Sequence, residues 1–218
     1  MTTTVNTAED PTLHVGQLLE VAPVVPVVVI HDVEHAVPLA QALLRGGIGI
    51  IEVTLRTAPA LLALERIARE VPEMVTGAGT VTTPGQVDAV QKAGASFLVT
   101  PGSPEHLLES ALASGLPLLA GASTVTEMMR LAEHGLTGMK FFPAEASGGR
   151  EYLAAVAGPL PGLRFCPTGG ITAATAPDYL GLPNVACVGG SWLTPRDAVE
   201  AGDWARVERL ATEAAALR

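Results

Sequence analysis

Short, β-rich apolar runs recur along the chain at a nearly constant interval, and this feature constrains the fold more than any other. Successive runs start 21 to 26 residues apart, and most of them begin or end near a glycine or a proline. An interval of this length leaves room for one helix between strands, so the strands are expected to be parallel and joined by crossover helices. The predicted strands are Val24–Ile30, Ile48–Thr54, Met74–Ala78, Ser96–Thr100, Pro117–Gly121, Gly138–Phe142, Leu163–Thr168 and Asn184–Gly189.

Segments between these strands carry apolar residues at helical spacing. Helices are predicted within Val33–Arg45, Ala58–Glu70 and Thr124–His134, and a terminal helix within Asp203–Arg218. Several helices begin with residues that favour the N-cap position. The predicted N-caps are Thr83, Ser103 and Thr124.

Strands that are hydrophobic along their whole length are typical of parallel sheets covered by helices. The predicted fold class is therefore α/β, as a (β/α)8 TIM barrel with an extra N-terminal helix. An open doubly wound sheet, which also alternates strands and helices, is the alternative. No glycine- or serine-rich linker divides the chain, so residues 1–218 are predicted to form one domain, with residues 1–22 as an N-terminal extension and helix.

The charge of the chain excludes several classes of partner. There are 13 Lys and Arg residues against 22 Asp and Glu residues, a net charge of −9, with no basic block. Nucleic acids and anionic membrane surfaces are therefore not expected as partners. The longest clean apolar run, Val21–Ile30, is shorter than the roughly 18 to 20 residues of a membrane helix. Since residues 1–10 carry no export signal, a cytoplasmic location is predicted.

Lysine occurs at only two positions, Lys92 and Lys140. Lys92 lies in a predicted helix, where an exposed side chain is expected, whereas Lys140 lies inside a predicted strand. A lysine there either pairs with a carboxylate such as Glu52 or Glu145, or acts as a nucleophile. Apolar surroundings disfavour the ammonium form and leave a neutral amine that can attack a carbonyl group and form a Schiff base.

Glu52 is the second unusual residue, because strand alternation directs it to the same face as Ile50 and Thr54. A carboxylate that faces a barrel interior is either the partner of a cation, Arg56 or Lys140, or a general acid/base. Arg56 follows at the end of the strand, where its guanidinium suits a substrate carboxylate or phosphate.

Glycines follow the last two predicted strands. Thr168, Gly169 and Gly170 end the seventh strand, and Gly190 and Ser191 end the eighth. In a barrel, these two loops are the frequent position of a phosphate site, since bare backbone amides can approach the phosphate oxygens. Tight turns also need glycine, so each pair alone is a weak signal. Both pairs together predict a phosphate-binding site.

Five segments, taken in order, resemble the family of 2-dehydro-3-deoxy-6-phosphogluconate (KDPG) aldolase, which includes 4-hydroxy-2-oxoglutarate (KHG) aldolase activity. The resemblance extends from about Pro23 to the C-terminus. It implies a (β/α)8 barrel, a homotrimer, and a class I mechanism that needs no metal and no cofactor. The segments are Glu52–Thr57, Gly77–Thr80, Lys140–Glu145, Cys166–Ile171 and Gly189–Leu193.

The resemblance also implies a role for individual residues. Lys140 matches the Schiff-base lysine and Glu52 the carboxylate that moves protons. Arg56 and Thr80 match residues that hold the substrate's carboxylate end, and Pro101 and Phe142 match residues that line the pocket. The positions that match the phosphate end are Thr168, Gly169, Gly170, Gly190 and Ser191.

The expected reaction is cleavage of KDPG, a phosphorylated 2-keto acid, to pyruvate and glyceraldehyde 3-phosphate. KHG or the galactonate epimer of KDPG is the alternative substrate within the same chemistry. A phosphosugar isomerase or epimerase on the same barrel is the alternative from another class, since it would keep the phosphate loops but would not need a buried Lys140. A metal-dependent aldolase is disfavoured by the lack of a ligand cluster in the sequence.

Overall fold

The computed structural model describes residues 14–217 of the chain. Residues 1–13 of the predicted N-terminal extension, and Arg218 of the predicted terminal helix, lie outside the described residues. The strands within residues 14–217 are β1 (Val24–Val28), β2 (Ile50–Thr54), β3 (Val75–Gly79), β4 (Phe97–Val99), β5 (Leu118–Ala122), β6 (Gly138–Phe141), β7 (Arg164–Pro167) and β8 (Val188–Gly190).

Helices connect the strands and surround them. The α-helices are α1 (Val15–Leu18), α2 (Ala36–Arg45), α3 (Ala60–Glu70), α4 (Pro84–Lys92), α5 (Glu105–Ala113), α6 (Val125–Glu133), α7 (Gly149–Val156), α8 (Ala176–Leu180), α9 (Arg196–Glu200) and α10 (Trp204–Ala215). Short 3-10 helices at Val33–His35 and Glu145–Ser147 precede α2 and α7.

The eight parallel strands form a barrel. Their order follows the sequence from β7 back to β1, and β1 then pairs with β8. Two bridges, Phe165 with Val185 and Thr168 with Gly189, close the remaining gap between β7 and the β8 region. Parallel strands joined by helices bring all of their carboxyl ends to one face of the barrel. The predicted (β/α)8 fold is confirmed, and the open doubly wound sheet is excluded.

Burial explains why these sequences form these elements. Every residue of β1, β2 and β5 is buried, as expected for strands with the barrel interior on one face and helices on the other. The helices bury only one side, for example Leu39 and Leu43 of α2. Glu52 and Lys140 are the charged side chains among the buried residues that the structure describes.

The N-cap predictions are confirmed at two positions and wrong at the third. Thr83 and Thr124 each cap a helix in a capping box. Ser103 is not an N-cap, because α5 is preceded by Pro104 and has no side-chain cap. The Ser103 hydroxyl instead lies 3.1 Å from the Thr100 hydroxyl and donates to the Gly121 carbonyl at 3.2 Å. These bonds tie the loop after β4 to β5.

Most predicted bounds differ from the structure by one or two residues, and two elements differ more clearly. The helix predicted over Val33–Arg45 divides into a 3-10 turn and α2, and the Asp32 side chain caps the turn by accepting from the Glu34 amide. The strand predicted from Asn184 begins only at Val188, with one earlier bridge at Val185. Within residues 14–217, no helix has the length and apolarity needed to cross a membrane.

Candidate active site

Lys140 and Glu52 form an ion pair inside the barrel. The Lys140 Nζ donates to Glu52 Oε1 at 3.1 Å and lies 3.5 Å from Oε2. Lys140 is 3% exposed and Glu52 is 1% exposed. Their strands, β6 and β2, are separated by β5, β4 and β3 in the sheet order, so the two side chains reach each other across the interior. The two residues that the sequence singles out are thus brought together, although 88 positions separate them.

Small residues leave space for this pair. Gly121 and Cys166 stand beside Lys140 in the neighbouring strands. A Cβ atom at Gly79 of β3 would overlap Glu52 Oε1, so a side chain there would displace the carboxylate. Gly79 is a residue that the sequence reasoning missed. Gly79 is the last residue of β3, and a glycine within a strand often marks a close approach of another group, which is the signal that could have found it.

The surroundings of the pair decide what it can do chemically. The Phe142 ring centroid lies 5.4 Å from Lys140 Nζ, on the side of the strand's carboxyl end. Burial removes water from both charges, so each depends on the other for its electrostatic stabilisation. An amine and a carboxylate thus stand within hydrogen-bonding distance of each other, where one can act as a nucleophile and the other as a proton acceptor.

Arg56 and Thr80 meet at the carboxyl ends of β2 and β3. The Arg56 Nε donates to Thr80 Oγ1 at 3.1 Å. Arg56 is thus hydrogen bonded to Thr80 and is not the partner of Glu52, which was one of the structural interpretations. Thr80 has a φ of 59°, which is unusual for a β-branched residue and marks local backbone strain. Arg56 is exposed, so its remaining donors can face a ligand.

Pro101 and Phe142 lie at the ends of β4 and β6, and both are half-buried. Gly121 allows Pro101 to approach, because a Cβ atom at Gly121 would overlap the Pro101 carbonyl group. A Cβ atom at Gly169 would lie 3.4 Å from the Phe142 ring, so the backbone of Gly169 packs beside that ring. The two residues are therefore placed where pocket-lining side chains would stand.

The loop after β7, residues 168–170, is one of the two loops predicted to bind a phosphate, and we call it the phosphate-end loop. Gly169 and Gly170 have φ angles of 105° and 83°, which side chains other than glycine rarely adopt. Thr168 bridges to Gly189, so this loop lies beside Gly190 and Ser191 at the end of β8. The residues predicted for the phosphate end are thus brought together from two neighbouring strands.

Glu145 is not a partner of Lys140, although it was one of the two carboxylates considered. Its Oε1 accepts a hydrogen bond from the Tyr179 hydroxyl at 2.7 Å. Tyr179 is a second residue that the sequence reasoning missed, and no local pattern marks it. Within residues 14–217, no group of three or more His, Cys, Asp or Glu side chains is arranged to hold a metal ion.

Comparison with known proteins agrees with this geometry. The family model described as "Aldolase: KDPG and KHG aldolase" matches residues 15–210. The chain belongs to the KDPG and KHG aldolase family. Among its relatives, the KHG/KDPG aldolase of Escherichia coli (strain K12) is 53% identical over 197 residues, which cover 90% of this chain and 92% of the relative. The 2-dehydro-3-deoxy-phosphogluconate aldolase of Pseudoalteromonas atlantica is 54% identical over 194 residues, with 89% and 90% covered.

Solved structures of the family have the same fold. A crystal structure of KDPG aldolase from Legionella pneumophila, with pyruvate captured at low pH as a covalent carbinolamine intermediate, has a TM-score of 0.92 and 44% identity. The match covers 94% of this chain and 99% of the Legionella chain. A KDPG aldolase structure from Zymomonas mobilis with 3-phosphoglycerate has a TM-score of 0.88 and 44% identity, with 94% and 96% covered.

Proposed function

We infer that this chain is a class I aldolase that cleaves KDPG to pyruvate and glyceraldehyde 3-phosphate. The observation that carries this conclusion is the buried Lys140–Glu52 pair, 3.1 Å apart at the interior of the barrel. Family membership supports it, because relatives at 53% and 54% identity are named as aldolases for this class of substrate. An isomerase or epimerase would have no need for a lysine that is 3% exposed.

The reaction begins with the Lys140 amine. After its proton passes to Glu52, the neutral amine attacks the C2 carbonyl of the substrate and forms a carbinolamine. Glu52 returns that proton to the hydroxyl of the carbinolamine, which leaves as water, so that Glu52 is again a carboxylate. A protonated imine remains, and its positive nitrogen can accept an electron pair from the neighbouring carbon atoms. The carbinolamine captured with pyruvate in the Legionella enzyme belongs to that same sequence of intermediates.

Glu52 then carries the proton transfers. As a carboxylate, Glu52 removes the proton of the C4 hydroxyl. The C3–C4 bond then breaks, and the electrons of that bond move to the iminium nitrogen. Glyceraldehyde 3-phosphate leaves, and the remaining enamine takes a proton at C3. Hydrolysis of the resulting imine releases pyruvate and restores the amine. One carboxylate can act first as base and then as acid because the steps follow one another.

We assign the orientation of the substrate to residues at the carboxyl ends of the barrel strands. Arg56 and Thr80 hold the substrate's carboxylate end, because the guanidinium keeps donors free beside its bond to Thr80. Pro101 and Phe142 line the pocket between the two ends. The phosphate end is received by the phosphate-end loop (Thr168, Gly169 and Gly170) together with Gly190 and Ser191, whose backbone amides suit phosphate oxygens.

KHG is the second candidate substrate, since the E. coli relative is named a KHG/KDPG aldolase. KHG has the same 2-keto and 4-hydroxyl groups and lacks the phosphate. Lys140 and Glu52 would therefore act on it in the same way. Comparing kcat/KM for KDPG, KHG and dephosphorylated KDPG decides which substrate is preferred. Equal values for all three would contradict the proposal that the site binds the substrate's phosphate group.

The working form proposed for the enzyme is a homotrimer in the cytoplasm. Large apolar side chains remain exposed on the helices of this chain, with Leu62 and Met129 each 51% exposed, and such side chains can be buried between subunits. Size-exclusion chromatography with light scattering measures the mass directly. A monomer at micromolar concentration would contradict the trimer.

Borohydride trapping with pyruvate, followed by peptide mass spectrometry, tests the class I mechanism. A reduced pyruvate adduct on Lys140 is the expected result. Lys92 is the matched internal control, because it is the only other lysine and is exposed at the end of α4. No adduct from folded protein would overturn the Schiff-base mechanism, and an adduct on Lys92 would contradict the site.

A further inference from the structure

A hydrogen bond behind the phosphate-end loop connects α8 to the segment that follows β6. The Tyr179 hydroxyl donates to Glu145 Oε1 at 2.7 Å. Tyr179 is 2% exposed, whereas Glu145 lies at the surface. The buried phenol therefore fixes the direction of a carboxylate that would otherwise be free to rotate in solvent.

The Glu145 segment in turn holds the phosphate-end loop by its backbone. The Ala144 amide donates to the Thr168 carbonyl at 2.8 Å, and the Glu145 amide donates to the Gly169 carbonyl at 3.1 Å. These bonds continue the pairing of β6 with β7 beyond the strands. The position of Glu145 therefore sets the position of the loop backbone.

The side chain of Glu145 also packs against the loop. A Cβ at Gly170 would lie 2.6 Å from Glu145 Cγ, so the methylene groups of Glu145 cover the bare backbone of Gly170. The loop glycines, Gly169 and Gly170, have no side chains with which to anchor themselves. Support from a neighbouring segment is the way in which such a loop keeps one shape.

The charge of Glu145 makes its direction important. Its methylene groups face Gly170 and its carboxylate is turned to Tyr179, with Oε2 3.7 Å from a Cβ position at Gly149. Behind it lies a cavity of about 370 Å³, lined in part by Thr175 and Tyr179, so the side chain has room to move. A carboxylate that turned towards the loop would repel a bound phosphate.

Tyr179 remains a hydrogen-bond donor under all ordinary conditions. Burial, and then the bond to the Glu145 carboxylate, raise the pKa of Tyr179 far above its usual value. The phenol is therefore protonated at neutral and moderately alkaline pH. The bond is not expected to be lost through titration of the tyrosine.

We propose that Tyr179 and Glu145 are positioning residues for the phosphate end of the substrate site. Tyr179 holds the Glu145 carboxylate away from the phosphate, and Glu145 supports the backbone of the phosphate-end loop. Neither residue touches the reacting carbon atoms. This inference rests on the proposed function, because it presumes that the loop receives a phosphorylated substrate.

Tyr179→Phe is the decisive variant, since it removes one hydroxyl and keeps the buried ring. We expect KM for KDPG to rise about tenfold while kcat changes less than twofold, because the Lys140–Glu52 pair is untouched. kcat/KM for dephosphorylated KDPG should stay within twofold of the unmodified enzyme. Tyr152→Phe is the matched control, because Tyr152 is the only other tyrosine and its ring stacks on Phe141.

Glu145→Gln adds a second readout, because the amide keeps an oxygen that can accept from Tyr179. KM for KDPG should stay within about twofold of the unmodified enzyme in this variant, and rise about tenfold in Glu145→Ala. A merely structural role would lower kcat for both substrates in Tyr179→Phe, and that result would overturn the proposal. An unchanged KM for KDPG in Tyr179→Phe would do the same.

Different results would overturn the proposed phosphate binding and the proposed positioning role. If the unmodified enzyme cleaves KDPG and dephosphorylated KDPG with equal kcat/KM, the phosphate end itself is wrong and the positioning role falls with it. If it prefers KDPG and Tyr179→Phe keeps the full preference, only the positioning role is overturned.

Discussion

Two ion pairs of this protein have similar lengths and opposite surroundings. The Arg45–Glu208 pair joins α2 to α10 with 2.7 Å between nitrogen and oxygen, and its side chains are 50% and 40% exposed. The Lys140–Glu52 pair is longer, at 3.1 Å, and its side chains are 3% and 2% exposed. Distance alone would rank the surface pair as the stronger interaction. Burial reverses this ranking of the two interactions.

Water explains the difference. Around Arg45 and Glu208, water and salt screen the charges, so the pair adds little to the free energy of unfolding. Inside the barrel, each charge of the Lys140–Glu52 pair has lost its hydration, and each depends on the other. A pair of this kind is weak evidence for stability, but it is a suitable source of a reactive amine and a proton acceptor.

The largest effect is expected when the buried cation is removed. Lys140→Met eliminates the nucleophile, and aldol cleavage should fall by at least about 10⁴-fold. It also leaves Glu52 buried without its cation, which costs about 3–5 kcal/mol of unfolding free energy if the carboxylate stays charged. Steady-state kinetics and denaturant unfolding measure the two effects.

The control for this variant is a double substitution. Lys140→Met combined with Glu52→Gln should regain much of the lost stability and none of the activity, because no buried charge remains. Substantial turnover in either variant would contradict the role of Lys140.

The buried anion is expected to matter next. Glu52→Gln keeps the shape of the side chain and removes its ability to accept a proton, so kcat should fall by about 10²- to 10⁴-fold. Pyruvate should still be trapped on Lys140 by borohydride, although more slowly. A kcat near that of the unmodified enzyme would reduce Glu52 to a structural partner of Lys140.

A smaller effect is expected when the buried pair is only displaced. In Gly79→Ala, the new methyl group would overlap Glu52 Oε1, so the carboxylate must move. A misplacement of this kind should lower kcat by about 10- to 100-fold. Gly85→Ala is the matched control, since nothing lies within 4 Å of its Cβ position. Equal kcat values in the two variants would show that Glu52 tolerates the displacement.

The smallest effect is expected at the surface pair. Arg45→Ala should change the free energy of unfolding by less than about 1 kcal/mol and leave kcat and KM unaltered. Raising the ionic strength should make even this difference smaller. A loss of several kcal/mol measured by urea unfolding would show that the surface pair is more than a screened contact.

Much of the fold could be predicted because its signals are local. The regular interval between apolar runs, and capping residues such as Thr83 and Thr124, depend on neighbours in the sequence. Ser103 shows the limit of such signals. Its position before Pro104 suits an N-cap, but its hydroxyl contacts Thr100 in the same loop and donates to the Gly121 carbonyl of the neighbouring strand β5.

The candidate site divides in the same way. Lys140 and Glu52 could be singled out because a charge inside an apolar strand is unusual wherever its partner lies. The choice of partner could not be predicted, since Glu145 was as plausible for Lys140 as Glu52, and Arg56 as plausible for Glu52. The structure assigns Glu145 to Tyr179 and Arg56 to Thr80.

The sequence by itself therefore determined the alternation of strands and helices, the buried charges and the glycines of the two loops. These follow from hydrophobic periodicity and from the backbone freedom of glycine, both of which are local properties. The tertiary structure alone decided that Lys140 meets Glu52 across the barrel, that Gly79 leaves space for the carboxylate, and that Tyr179 holds Glu145. Such contacts join residues far apart in the chain, and barrel closure brings them within a few ångströms of each other.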